Sequence, residues 1–275
     1  MVKIGVIPDL HLMSNNKDEV LEELEILKER FRSFQPDIII LLGDIIQDES
    51  YEEDKKHIIE AVSIMEEFES EVRFLGGNHD SVNLDLSELR TEFKNELWGM
   101  ENIKGENLIF LDTSLPKGVP QGKVTEEQLE FLKKKLEEVD DAIMFLHHPI
   151  HYHDTQGTYW WHNRPEEAFC MNKKKVNEIL SENPKVKAVF NGHVHYNKHV
   201  RYQGLDHLNL NAFNKEISNS HATASHAEIT ITEHKITTIV KERNKTVIGH
   251  IFPNKTQEKK LRQWESVDRE LRRIK

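Results

Sequence analysis

A chain of 275 residues with a formal net charge of −11 at pH 7 is long enough for one large domain with a well-buried core, or for two smaller ones. The acidic balance argues against sequence-independent nucleic-acid binding, which draws its affinity from Lys and Arg neutralising phosphates, but allows a small phosphorylated substrate. A single cysteine, Cys170, rules out an intrachain disulfide, and sixteen histidines place any metal chemistry on nitrogen and oxygen donors.

Met1 is followed at once by Val2-Lys3-Ile4-Gly5-Val6-Ile7, which reads as a core strand and leaves no signal-peptide regions. No apolar run approaches the ~20 residues a membrane span needs, so a soluble cytoplasmic protein is expected. The pattern then predicts a strand over 4–7, a helix over 18–34, a strand over 37–42, a helix over 52–68 and a strand over 72–75. In the first helix Val20, Leu24, Leu27, Phe31 and Phe34 recur at spacings of three and four, an apolar stripe suited to covering a sheet face. Alternation of strand and helix is the sign of βαβ units and a largely parallel sheet.

Strands follow over 108–111 and 142–146, flanking a helix over 125–139 whose start, Thr125-Glu126-Glu127-Gln128, fits a capping box. Asn172 introduces a helix over 173–180, and 186–190 is the next strand. Beyond His195 the segments 200–202, 208–210, 227–232 and 235–240 alternate with turns and are expected to form an antiparallel sheet. An α/β fold, a two-layer β-sandwich with flanking helices, is the simplest architecture for both halves. Residues 1–252 form its body. Residues 253–275 make a charged helical tail, with Leu261, Trp264, Val267 and Leu271 on a narrow stripe that would dock it to the body or to a second subunit.

Each apolar run in the first two hundred residues ends in a potential ligand: Asp9-x-His11, Gly43-Asp44, Gly76-Gly77-Asn78-His79-Asp80, His147-His148-Pro149 and Gly192-His193-x-His195. Side chains two apart in an extended segment share a face, so Asp9 with His11, and His193 with His195, are expected to point together. Any one of these is ordinarily a turn residue, a helix cap or a solvated histidine. Together, at the carboxyl ends of strands where open α/β sheets bind ligands, they make one site, whose oxygen and imidazole donors suit two divalent cations better than a thiolate-bound structural zinc. The aromatic loop 151–165 has no helix or strand period and follows a ligand directly, so it is placed to form a substrate wall. There Trp160 or Trp161 could stack on a base and Arg164 could pair with a second phosphate, although burial of both tryptophans in a local mini-core is an equal reading. His221 and His226 are weaker candidates.

The order of these motifs over residues 3 to 212 resembles the calcineurin-like metallophosphoesterase superfamily. The resemblance implies that Asp9, His11 and His195 hold one ion, that Asn78, His147 and His193 hold the other, and that Asp44 bridges them. By the same pattern His147 is the ligand, while His148 belongs behind it or beside the substrate. His79 would contact the phosphate and protonate the leaving group, with Asp80 orienting its ring, and a hydroxide between the two ions would attack phosphorus. Mn, Fe, Zn and Co all suit such donors. The stretch Ile45-Ile46-Gln47-Asp48-Glu49 departs from the glycine-ended loop common in the family. Within the superfamily, in its size, single domain and aromatic loop, the chain resembles small phosphodiesterases of cyclic nucleotides or of nucleoside diphosphate derivatives such as ADP-ribose. The alternatives are a catalytically silent metal-binding scaffold of the same fold, and a DNA nuclease, which the acidic charge disfavours.

Overall fold

The computed structural model describes residues 1–156, 158, 160–214, 223–243, 245–256, 259 and 260. Its centre is made by strands too apolar to face water on either side. Every residue of β2 (Ile38–Leu42) is buried, as strands covered on both faces require. Ile38, Ile40 and Leu42 point into a core between two sheets, whereas Ile39 and Leu41 point into a second core beneath helices.

The first sheet has the order β12-β11-β10-β1-β2-β3, with β1 (Val2–Ile7), β3 (Glu71–Leu75), β10 (Ser225–Ile231), β11 (Lys235–Glu242) and β12 (Lys245–Pro253). Helices α1 (Lys17–Phe34), α2 (Tyr51–Met65) and α3 (Leu86–Phe93) cover its outer face through Val20, Leu24, Phe31, Ile58, Met65 and Leu89. The second sheet runs β4-β5-β6-β7-β9-β8, formed by β4 (Gly99–Ile103), β5 (Glu106–Leu111), β6 (Ala142–Leu146), β7 (Val186–Asn191), β8 (Lys198–Tyr202) and β9 (Leu205–Asn209). Its outer face is covered by α4 (Glu126–Glu138) and α5 (Lys173–Glu182), through Leu129, Leu132, Leu136, Val176 and Leu180. Helix, sheet, sheet, helix is the expected layering.

Several local expectations change. The strands after His195 do not form one antiparallel sheet: β9 pairs parallel with β7, while β10 pairs antiparallel with β1. The segment thus extends both sheets, and each inner strand gains a partner for its edge. The second helix ends at Met65 rather than 68. Asn172 makes no side-chain cap; its amide instead brackets the backbone of Val124. Helix α3 and strands β4 and β12 were not expected, although Asp85 and Glu88 form a full capping box that is visible in the sequence. Among the described residues no helix is long and apolar enough to cross a membrane. The helix expected around Trp264 falls outside the described residues, as does His221. Ahead of it, Lys260 is buried and donates to the Lys187 carbonyl at 2.7 Å and to the Asp206 carboxylate.

Candidate metal centre and its cavity

Parallel strands β1, β2, β3, β6 and β7 deliver their following loops to one end of the sandwich, which is how residues 184 positions apart meet. Asp9 and His11 do point together as expected, but not by strand alternation, because neither lies in a strand. Asp9 (φ 48°), His11 (φ 44°), Asp44 (φ 48°), His193 (φ 66°) and His195 (φ 54°) all adopt left-handed backbone. That conformation is costly for residues with a Cβ and concentrates at functional sites. Backbone hydrogen bonds hold the turns in place: Asp9 N donates to the Gly43 carbonyl at 3.2 Å, and His11 N to the Asp44 carbonyl at 3.0 Å. Two glycines permit the close approach. A Cβ on Gly77 would lie 2.1 Å from Asp44 Oδ1, and one on Gly192 would lie 2.4 Å from Asp9 Oδ2.

Donor atoms of Asp9, His11, Asp44 and His195 lie within 4.8 Å of one another, as do those of His147, His148 and His193. His11 Nε2 and His195 Nε2 face each other at 3.0 Å, a contact that needs a proton or a cation between two lone pairs. His147 Nδ1 donates to the Leu42 carbonyl at 2.8 Å, which leaves Nε2, 3.1 Å from Asp44 Oδ2, as the atom that can face a cation. Burial lowers the His147 pKa, but the Asp44 and Asp9 carboxylates outweigh burial and raise it to about 9. His193 Nε2 donates to the Glu167 carbonyl at 3.0 Å, which leaves Nδ1 as its ligand atom. Asp9 Oδ2, Asn78 Oδ1 and His147 Nε2 are buried without a hydrogen-bond partner. Such atoms are costly unless something else satisfies them, and an oxygen and nitrogen set of this kind fits divalent cations.

His148 is different, and of the two places expected for it, behind a ligand or beside the substrate, its contacts match the first. Fully buried, it uses both ring nitrogens, toward Thr113 Oγ1 at 2.8 Å and the Pro120 carbonyl at 2.9 Å, and its ring packs against His193 with centroids 4.2 Å apart. It therefore supports a neighbour from behind. Asp80 also changes role. Its carboxylate accepts from the backbone amides of Ile45 (2.8 Å), Ile46 (3.1 Å) and Gly77 (2.8 Å), tying the loop after β2 to the loop after β3. Burial, then repulsion from Asp44, pushes its carboxyl up to about 7. The carboxylate that holds the His79 ring is Asp48, with Oδ1 2.6 Å from Nδ1.

These groups open into a cavity of about 500 Å³, also lined by Gln47, Lys117, Trp160, Trp161, Arg164 and Glu167. Trp161 leans on His193, ring centroids 4.6 Å apart, and its Nε1 donates to the Val194 carbonyl at 3.3 Å, so it belongs with the local core of Phe169 and Val194. Trp160 is 39% exposed at the cavity wall, and Arg164 pairs with Glu167 at 3.4 Å. Lys117 escaped the sequence reading. It has left-handed backbone (φ 64°), on a turn fastened by Gly118 N to the Ser81 carbonyl at 3.1 Å and by Ser81 Oγ to the Leu115 carbonyl at 2.8 Å. The Lys117-Gly118 pair was a usable turn signal in the sequence, but not its place on the cavity wall.

Beneath the 151–165 loop lies a further group that the sequence reading missed. His151, His153 and His207 are buried, with His151 Nε2 3.1 Å from His153 Nδ1 and the His151 and His207 rings 4.5 Å apart. His226, a weaker candidate from the sequence, is instead buried against the Ala224 carbonyl at 3.0 Å. Burial lowers the His153 pKa to about 4 and, against Asp206, that of His207 to about 3. The unfolded chain therefore binds protons that the folded chain refuses between its folded values and about 6.5. Stability from these groups is present above about pH 6.5 and is lost as pH falls toward 4. The melting temperature should decline over that window, and less steeply for His207→Leu. Equal slopes would exclude His207 as a cause.

A family model described as calcineurin-like phosphoesterase matches residues 2–197. The chain is 26% identical over 221 residues to the 3',5'-cyclic adenosine monophosphate phosphodiesterase CpdA of Escherichia coli (strain K12), covering 74% of this chain and 73% of that protein. Identity to CpdA of Haemophilus influenzae is 27% over 218 residues, with the same coverage. A crystal structure of a dimetal phosphatase from Danio rerio superposes with a TM-score of 0.72 at 15% identity, covering 92% of this chain and 98% of that one. GAP50, described as the anchor in the inner membrane complex of Plasmodium, superposes with a TM-score of 0.63 at 12% identity, covering 92% and 88%. At such identities the structural likeness is one of fold.

Proposed function

The chain belongs to the calcineurin-like phosphoesterase family, and from that premise we propose that its substrate is a nucleotide phosphodiester, cleaved at the cavity floored by His79 and the clustered ligands. It is a metal-dependent phosphohydrolase with a dinuclear divalent site. We assign Asp9, His11 and His195 to one ion and Asn78, His147 and His193 to the other, with Asp44 shared. Mn, Fe, Zn and Co all match the donors, and loading follows availability as well as affinity. When bound, such a pair supplies Lewis-acid polarisation of a phosphoryl oxygen and a nucleophile at neutral pH.

The chain's own residues provide the rest. Asp48 accepts from His79 Nδ1, which fixes the ring and favours its protonated form. His79 is then the acid that passes a proton from Nε2 to the departing oxygen. This ion-paired histidine in a cavity with the ligand cluster is the observation that carries the reading, since a silent scaffold has no use for it. Trp160 offers a face for a base, while Lys117 and Arg164 offer cations for phosphate oxygens. The CpdA proteins named above are described as phosphodiesterases of a cyclic nucleotide, which supports the same substrate class.

The test is hydrolysis by the Mn2+-loaded chain of 3',5'-cyclic AMP, ADP-ribose, bis(p-nitrophenyl) phosphate and p-nitrophenyl phosphate. Turnover of a diester above the monoester is expected, and a preference for the monoester would overturn the substrate assignment. Base stacking on an aromatic side chain contributes about 1–3 kcal/mol, so Trp160→Ala should raise KM for the nucleotide about tenfold with kcat retained. Lys117→Ala should also raise KM. An unchanged KM in both variants would remove this wall from substrate binding.

A further inference from the structure

Gln47 sits between the ligand His11 and Asp48, the carboxylate that holds His79, and touches both. Its Oε1 lies 3.0 Å from His11 Nδ1, and its Nε2 lies 3.3 Å from Asp48 Oδ1. The same Asp48 oxygen is 2.6 Å from His79 Nδ1. The chemistry of the partners fixes the amide's orientation. An ionised carboxylate only accepts, so the end facing Asp48 must be the NH2 group, and the carbonyl end must face His11. His11 Nδ1 then carries the ring proton and donates it to Gln47, which leaves the Nε2 lone pair to the cluster.

Backbone geometry holds the side chain there. Gln47 N donates to the Leu12 carbonyl at 3.0 Å, Leu12 N to the Ile45 carbonyl at 3.0 Å, and His11 N to the Asp44 carbonyl at 3.0 Å. The loops after β1 and β2 are thereby laced together as a short parallel bridge between Leu12 and Ile46. The resulting line of contacts runs His11, Gln47, Asp48, His79.

We propose that Gln47 is a positioning residue that serves both halves of the site: through its carbonyl it sets the tautomer of the ligand His11, and through its amide it holds Asp48 under His79. The inference rests on the two-ion reading of the site, and its test separates the two arms. Gln47→Glu keeps an acceptor for His11 but cannot donate to Asp48. Gln47→Ala loses both.

Mn2+ binding to the metal-stripped full-length chain is measured by calorimetry. Steady-state hydrolysis of 3',5'-cyclic AMP, whose leaving alkoxide needs a proton, is measured at saturating Mn2+, and thermal melts confirm that each variant is folded. Loss of a group that orients a ligand costs metal affinity by about 10- to 100-fold, so Gln47→Ala should weaken one Mn2+ ion by at least about tenfold. Gln47→Glu should keep or tighten it. Both variants should lose about tenfold in kcat with KM little changed, a part of the ~10²- to 10⁴-fold a positioned acid contributes. A purely structural role would lower the melting temperature without this split. Wild-type Mn2+ affinity in Gln47→Ala, or wild-type kcat in both variants, would overturn the proposal. A wild-type chain that binds fewer than two Mn2+ ions would overturn the site assignment and the coupling with it.

Discussion

Asp44→Asn should leave the chain with less than one tightly bound Mn2+ ion and reduce diester hydrolysis by more than the ~10²- to 10³-fold typical of losing one electrostatic stabiliser. Three observations set that size. Asp44 reaches both clusters through one oxygen, with Oδ2 3.1 Å from His147 Nε2 and 4.0 Å from His11 Nε2. Its other oxygen is already used, accepting from His79 N at 2.9 Å. The asparagine amide must therefore turn its NH2 either toward a backbone donor, which is repulsive, or toward the ligand nitrogens, where it occupies the lone pairs and the place a cation needs. The site is buried, so no solvent relieves the mismatch. Metal analysis after gel filtration, together with a rate measurement, checks the result. Two retained ions with near-wild-type turnover would deny Asp44 its shared position.

His79→Ala should act on the other half of the chemistry: metal content stays at two ions per chain while turnover falls by about 10²- to 10³-fold. The loss should depend on the leaving group. A p-nitrophenolate departs without a proton, whereas the alkoxide of a cyclic nucleotide does not, so the defect should be small for bis(p-nitrophenyl) phosphate and large for 3',5'-cyclic AMP. Asp48→Asn should show the same dependence in weaker form, because the ring remains but loses its charged partner. A uniform loss across leaving groups would make His79 a phosphate-binding group rather than the acid.

Much of this site could be read from the sequence because its ligands end apolar strands. Runs such as Ile38–Leu42 can only be buried, and the residue after each run must come out at the same sheet end. Asp9, Asp44, Asn78, His147 and His193 follow from that rule. The angle at which each arrives does not. The left-handed backbone at Asp9, His11, Asp44, His193 and His195 is imposed by hydrogen bonds between loops distant in sequence, which no local propensity reports. For the same reason the partner of His79 was expected to be its neighbour Asp80, yet is Asp48, 31 positions away. Asp80 is drawn under the loops by three amides that need an acceptor more than the ring does. The role of His148, behind its neighbour or beside the substrate, was open in the sequence because nothing local reports that Thr113 and Pro120 occupy both its ring nitrogens.

The central claim, a dinuclear site that hydrolyses a diester, is tested most directly by titrating the metal-stripped chain with Mn2+ while following bis(p-nitrophenyl) phosphate hydrolysis. The rate should rise and level off at two equivalents per chain. A plateau at one equivalent, or no turnover with both ions bound, would contradict it.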